Sequence, residues 1–122
     1  MKAAGDSDED VRAAACEALG GIVDAKATAT LIDRLQNDRK AVVRGHAAIG
    51  LGLHKAKDAV AALVKRAGRE KDGEALAAMA WALGEIGDPS ARETLDKLTK
   101  HAHEPVRKEA TDALAKLPAA TK

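Results

Sequence analysis

Residues 11–22 read VRAAACEALGGI, and this stretch decides the fold because three further copies of it follow along the chain. The later copies are VRGHAAIGLGLH at 43–54, ALAAMAWALGEI at 75–86 and VRKEATDALAKL at 106–117. The same Leu recurs at intervals of 32, 32 and 31 residues, as Leu19, Leu51, Leu83 and Leu114. A fixed period of this length is typical of helical repeat arrays, in which each unit buries its apolar face against the next.

A second block alternates with the first: DAKATATLIDRL at 24–35, AKDAVAALVKRA at 56–67 and DPSARETLDKL at 88–98. The two blocks together predict a unit of two helices. Asp24 and Asp88 are placed as N-caps, and Pro89 suits a first helical turn. Four glycines are expected to end helices: Gly20, Gly52, Gly84 and Gly87. The predicted helices are 8–20, 25–36, 40–53, 57–68, 73–86, 89–100 and 104–117.

Composition indicates one domain spanning residues 1–122, in the cytoplasm and without a membrane partner. Twenty Lys and Arg against nineteen Asp and Glu give a net charge of +1, which supplies no overall field for nucleic acid or an anionic membrane. Cys16 is the single cysteine, so no disulfide forms within the chain. No stretch has the length and apolar character of a membrane span or a secretion signal.

The segments EDVRAAACEALGGI at 9–22 and GEIGDPSA at 84–91 resemble the HEAT-like repeats of the phycobilisome-lyase type. Units of that type pair a DPxAVxxLIxxL helix with an xxVRxxAAxALGxIG helix, and the resemblance covers nearly the whole chain. It implies an all-α fold, an α-solenoid coiled as a right-handed superhelix, with the VR-type helices on the concave face.

The chain begins and ends with a VR-type helix, so the first copy has no outer partner helix. Three arrangements follow from this: residues 1–7 cover the exposed end, the sequence is a piece of a longer array, or copies self-associate through their terminal helices.

Trp81 is the only Trp in a chain that has no Phe or Tyr. It lies off the core stripe of its helix. That stripe contains Leu76, Met79, Ala80, Leu83 and Ile86 at helical spacing. Trp81 is therefore expected on the open face, either as a binding anchor or as a packing residue lying over Gly45, Ala77 and Ala78.

The positions equivalent to Trp81 in the other copies are Glu17, Ile49 and Asp112, which makes an apolar pair between two acids. We predict a partner-binding surface on the concave face, formed by Trp81, Ile49, Val42, His46, Ala77 and Ala78 and bordered by Glu17, Glu74, Glu109 and Asp112. Such a surface suits a protein or peptide ligand with basic and apolar character. The prediction is a non-catalytic scaffold without a cofactor.

Arg12, Arg44 and Arg107 occupy the Arg of the VR pair, and Leu76 replaces it in the third copy. The resemblance implies that this Arg belongs to a structural ladder of charges with acids in the loops. We expect Asp24 and Asp88 to be its partners.

Other functions have weaker signals. The resemblance also implies a bilin-lyase subunit as an alternative, although no residue singles out a bilin site. A metal-dependent hydroxylase of HEAT-like fold needs several His-Glu pairs, and His103-Glu104 is the single one here. His101 and His103 are expected in a solvated turn, His54 as a partly buried packing residue, and Cys16 in the core without reactivity.

Overall fold

The computed structural model describes residues 8–118, and within them it contains seven α-helices, two short 3₁₀ turns and no strand. The helices are α1 Glu9–Gly20, α2 Ala25–Asn37, α3 Ala41–His54, α4 Val60–Ala67, α5 Gly73–Ile86, α6 Arg92–Leu98 and α7 Glu104–Lys116. The 3₁₀ turns Lys57–Ala59 and Pro89–Ala91 lead directly into α4 and α6. All seven predicted helices are confirmed, and their ends differ from the prediction by at most three residues. The largest differences are at the starts of α4 and α6, where the 3₁₀ turns occupy the first three predicted positions.

The helix starts follow from local sequence. Asp24 and Asp88 act as N-caps, as predicted, because their carboxylates accept backbone N–H groups at the starts of α2 and of the second 3₁₀ turn. Asp72 does the same for α5. At the other end, Gly87 and Lys55 stop α5 and α3 in the left-handed conformation, with φ of 75° and 51°.

The helices form two layers. In one layer α1, α3, α5 and α7 pack side by side in that order, and in the other α2, α4 and α6 pack against α3, α5 and α7 respectively. Leucines fill the space between the layers without solvent contact: Leu31, Leu35, Leu51, Leu63 and Leu95. The predicted core stripe of α5 is buried throughout. This arrangement is the all-α solenoid that the repeat pattern predicts.

The glycine prediction is correct for Gly87 but wrong for Gly52 and Gly84, which lie inside α3 and α5. Their role is to let neighbouring helices approach closely. A Cβ atom at Gly84 would lie 2.7 Å from the Cα of Ala113 on α7, and one at Gly20 would lie 3.2 Å from the Cα of Gly50. Small residues at these positions therefore set the spacing of the α1, α3, α5 and α7 layer.

The first two arginines of the VR pairs, Arg12 and Arg44, bind carboxylates in the loops between helices. Arg12 donates to both side-chain oxygens of Asp38, at 2.7 and 3.1 Å, and Arg44 binds Glu70 in the same way, at 2.6 and 2.8 Å. Each carboxylate also accepts from an Arg one helical turn earlier and from the backbone N–H two residues later. Burial alone would raise the pKa of Asp38 and of Glu70, but these bonds outweigh it and hold both pKa values below their ordinary range.

The prediction that Asp24 and Asp88 are the partners of these arginines is wrong, because their carboxylates cap helix starts instead. The ladder also changes in its later copies. Arg107 donates to the backbone carbonyls of His101 and Ala102. In the third copy Leu76 occupies the position of Arg12 and Arg44. His101 occupies the loop position of their partners Asp38 and Glu70. Both the arginine and the carboxylate of this ion pair are therefore absent between the third and fourth copies.

Candidate functional site

Two neighbouring cavities open on the α3, α5 and α7 side of the molecule. The first has a volume of about 320 Å³, and Val42, His46, Asp72 and Glu74 are among its lining residues. We call it the acidic cavity. The second, the tryptophan cavity, has a volume of about 290 Å³ and is lined by Ile49, Ala77, Ala78, Trp81 and Glu109. Because Ile49 and Ala78 line both cavities, the two are adjacent, and we call them together the groove.

Trp81 is half-buried, and its ring takes part in both packing and lining. A Cβ atom at Gly52 would lie 2.6 Å from Trp81 Cζ3, so the indole rests against the bare backbone of α3 at that glycine. The packing alternative predicted Gly45 beneath the ring, but Gly45 lines the acidic cavity instead. The indole also lines the tryptophan cavity beside Ile49, whose side chain is exposed. Its role as a binding anchor stays a prediction.

The groove carries negative charge. Asp72, Glu74 and Glu109 line it, and among the described residues no Lys or Arg lines either cavity. The N-terminus of α5 contributes about half an elementary positive charge at the acidic cavity. The two negative charges of Asp72 and Glu74 outweigh it. A cationic side chain therefore gains favourable interactions in this cavity.

The structure brings eight of the ten predicted binding residues into the groove: Val42, His46, Ile49, Glu74, Ala77, Ala78, Trp81 and Glu109. Glu17 is exposed on α1 and lines neither cavity. Asp112 also lies outside both, where it forms an ion pair of 3.1 Å with Lys108. Sequence reasoning missed Asp72, although its N-cap position directly before Gly73 and Glu74 was a usable signal.

The histidines are more constrained than expected. His54 is half-buried, as predicted, and its ring bonds to the carbonyl of Leu19 at 2.8 Å and to Thr28 Oγ1 at 2.9 Å, which ties α3 to α1 and α2. His101 and His103 lie in the loop between α6 and α7, as expected, but both are half-buried and not fully solvated. His103 packs its ring on Gly73, and His101 Nδ1 accepts the backbone N–H of His103 at 3.0 Å.

His101 thereby replaces a function of the loop acids Asp38 and Glu70, each of which accepts the N–H two residues later. The nitrogen that accepts this bond carries no proton, which fixes the tautomer of a neutral His101 ring. The fourth copy therefore keeps the loop geometry without a carboxylate.

The thiol of Cys16 and the potential metal ligands were the candidates for chemistry in the described part of the chain. Burial raises the pKa of the Cys16 thiol to about 11, so it carries almost no thiolate at neutral pH. Across residues 8–118, His, Cys, Asp and Glu side chains do not gather into a group of three or more that could hold a metal ion. Nor does any helix in these residues combine the length and apolar character needed to cross a membrane.

Stacked two-helix units joined through close-packed small residues define an α-helical repeat protein. The family model for HEAT repeats matches residues 1–52 and 28–115, which together cover most of the sequence, and the chain belongs to the HEAT repeat family. A search of curated proteins finds no match. The narrower phycobilisome-lyase type stays a prediction of the sequence resemblance.

Proposed function

We propose that the chain is a non-catalytic scaffold whose groove binds a protein segment carrying one basic and one apolar side chain. The observation that supports this most directly is that the two cavities share Ile49 and Ala78, one being bordered by Asp72 and Glu74 and the other by Trp81. HEAT repeats commonly mediate protein interactions, so the family fits a binding role. No feature of the groove favours the bilin-lyase or hydroxylase alternatives.

The apolar part of the ligand belongs in the tryptophan cavity. Partly exposed Trp81 and Ile49 provide the apolar surface there, and Ala77 and Ala78 leave room above the α5 backbone. Trp is among the residues that dominate the binding energy of interfaces, because a large rigid ring buries much surface at a small entropy cost.

The basic part belongs in the acidic cavity, and helix geometry sets the distance between the two. Glu74 and Trp81 are seven residues apart on α5, which corresponds to about 10 Å along the helix axis at about 1.5 Å per residue. An extended peptide covers that distance in about three residues. The proposed recognition pattern is therefore an Arg or Lys about three residues from a large apolar residue.

Selection of random peptides displayed on phage against the immobilised chain tests this proposal. We expect enrichment of peptides in which a basic and an apolar residue are about three positions apart. The affinity of the best peptide is then measured by fluorescence anisotropy. Trp81→Ala should weaken it by about 30-fold, which corresponds to about 2 kcal/mol, and Glu74→Lys should weaken it while reducing the salt dependence of binding.

Glu93→Lys provides the matched control, since Glu93 is an exposed acid on α6 and does not line the groove. This control should bind as the wild type does. Enrichment of acidic peptides, or equal losses for Glu74→Lys and Glu93→Lys, would contradict the proposal. A lower melting temperature with unchanged affinity for Trp81→Ala would assign the indole to packing alone.

A further inference from the structure

The end of α4 carries a base at a position where the other two helices of its layer carry an acid. Helices α2 and α6 have Asp33 and Asp96 directly before the base of their last turn, whereas α4 has Lys65 directly before Arg66. Arg69 follows shortly after the end of α4. The second copy therefore places three positive charges close together in sequence without the acid of its neighbours.

In the first copy the acid neutralises the base beside it. Asp33 accepts a bond of 2.6 Å from Nη2 of Arg34 and one of 2.8 Å from the side-chain amide of Asn37. The other terminal nitrogen of Arg34 donates to Asp38 at 3.2 Å. The guanidinium of Arg34 is thus occupied by two carboxylates.

Arg66 has only one of these two partners. Its Nε donates to Glu70 at 3.2 Å, and its terminal nitrogens form no hydrogen bond within residues 8–118. The side chain of Arg66 is 15% exposed and that of Glu70 is fully buried, so this bond holds the guanidinium in a fixed place. Within the same residues the side chains of Lys65 and Arg69 have no ion pair. Glu70 also binds Arg44, so the cluster has an excess of positive charge.

The three bases line a small cavity, which we call the basic cavity. It has a volume of about 100 Å³ and contains no acid among its lining residues, which are Gln36, Asn37, Lys65, Arg66 and Arg69. The two amide side chains add hydrogen-bond donors to those of the bases. Helices α2 and α4 end here, and each contributes about half an elementary negative charge. The three full positive charges outweigh both.

We propose that the basic cavity binds the phosphate group of a phosphomonoester or inorganic phosphate. Such a group carries a charge of about −1.5 to −2 at neutral pH and has three strong acceptor oxygens, which suits three cations better than the single charge of a carboxylate does. The planar guanidinium groups of Arg66 and Arg69 match the geometry of phosphate oxygens.

The surroundings of the cavity argue against a nucleic acid as the source of the phosphate. Single-stranded nucleic acids are held by aromatic side chains on which the bases stack, together with positive charge. Trp81, the one candidate in the chain, lines the tryptophan cavity on other helices. The small volume also suits a single phosphate group and leaves no room for a nucleoside.

Titration of the ¹⁵N-labelled chain with sodium phosphate, followed by amide chemical shifts, tests the proposal against sodium chloride at equal ionic strength. We expect saturable shifts around the basic cavity at about millimolar phosphate. Lys65→Asp restores the acid of the other copies and should weaken binding by at least about 10-fold, because a charge-assisted bond is lost. Arg69→Gln, which removes a charge without adding an acid, should also weaken it.

Lys97→Asp is the matched control. Lys97 is an exposed base in the last turn of α6, as Lys65 is in the last turn of α4, and it does not line the basic cavity. The control should bind phosphate as the wild type does. Lys65→Asp and Lys97→Asp should have equal melting temperatures, since both add an acid at an exposed C-terminal turn.

A short alanine peptide with a central phosphoserine distinguishes the two sources of the phosphate group. Binding at least about 10-fold tighter than that of inorganic phosphate identifies a phosphorylated protein segment, and equal binding identifies free phosphate. Both results support the site. The same peptide with Glu in place of phosphoserine should bind at least about 10-fold more weakly, because it offers a single charge.

Three results overturn the proposal. Shifts that do not saturate, or that chloride reproduces, indicate screening of surface charge alone. Equal binding of the Glu peptide indicates a general site for carboxylates. Equal losses for Lys65→Asp and Lys97→Asp, or tighter binding of a single-stranded oligonucleotide than of phosphate, indicate a diffuse basic surface. Neither substitution lies in the groove, so this proposal and the proposed scaffold function fail independently.

Discussion

Replacing Asp38 by Asn is expected to lower the free energy of unfolding by about 3 kcal/mol. The side chain of Asp38 is 1% exposed, and it accepts both bonds from Arg12 as well as a bond of 3.2 Å from Arg34 and one from the backbone N–H of Lys40. Breaking a buried ion pair by removing one charge costs about 3–5 kcal/mol. Asn keeps the shape and one acceptor oxygen, so we expect the lower end of that range.

Thermal unfolding followed by far-UV circular dichroism measures this change. A chain of 122 residues has an unfolding entropy of about 0.26 kcal/mol/K, so the variant should melt about 12 °C below the wild type. Asp33→Asn is the control, because Asp33 binds the same Arg34 but its side chain is 53% exposed. The Asp33→Asn substitution should lower the free energy of unfolding by less than about 1 kcal/mol. If both variants melt within about 3 °C of each other, the buried pair does not stabilise the fold as we argue.

The buried carboxylates Asp38 and Glu70 predict that the stability of the fold depends on pH. The pKa values of Asp38 and Glu70 lie below their ordinary values in the folded state, so the unfolded chain binds protons first as the pH falls. Their contribution is therefore fully present at neutral pH and is lost below about pH 4. The gap in stability between the wild type and Asp38→Asn should shrink in acid. A gap that stays constant from neutral pH to acid would contradict this assignment.

Three further experiments test the packing of the core and the ladder of charges. Gly84→Val should lower the unfolding free energy by about 2–3 kcal/mol in urea denaturation, because even its Cβ meets Ala113 at 2.7 Å. Cys16 should react with a thiol reagent at a rate set by opening of the fold, since its thiol is fully buried with a raised pKa. Leu76→Arg and His101→Glu should each destabilise the chain alone, whereas the double variant should be more stable than their sum by about 1 kcal/mol or more.

The helices could be predicted from the sequence because the 32-residue period and the apolar spacing both depend on local regularity. The carboxylates that bind the arginines of the ladder could not be predicted in this way. Arg12 and Asp38 are 26 residues apart, and which loop reaches the guanidinium depends on the path of the chain between layers. Gly52 and Gly84 were misinterpreted for a related reason: a glycine that ends a helix and one that admits a neighbouring helix look the same in a sequence.

The groove could be predicted in part. Stepping along the period places Ile49 and Trp81 on one face, and both line the tryptophan cavity. The period says nothing about how far each side chain extends, so it gave no reason to exclude Asp112, whose carboxylate pairs with Lys108. The period also predicts that the indole packs over Gly45. The ring instead contacts Gly52, because its direction is set by the rotamer of the Trp81 side chain.

The indole that rests on Gly52 has a practical consequence for spectroscopy. The chain has one Trp and no Tyr or Phe, so its near-ultraviolet absorption and intrinsic emission arise from that single ring. An emission shift on adding a ligand then reports on the wall of the tryptophan cavity, without background from elsewhere in the protein. The molecule therefore carries a built-in optical probe at the place where occupancy is to be measured, and no dye has to be attached.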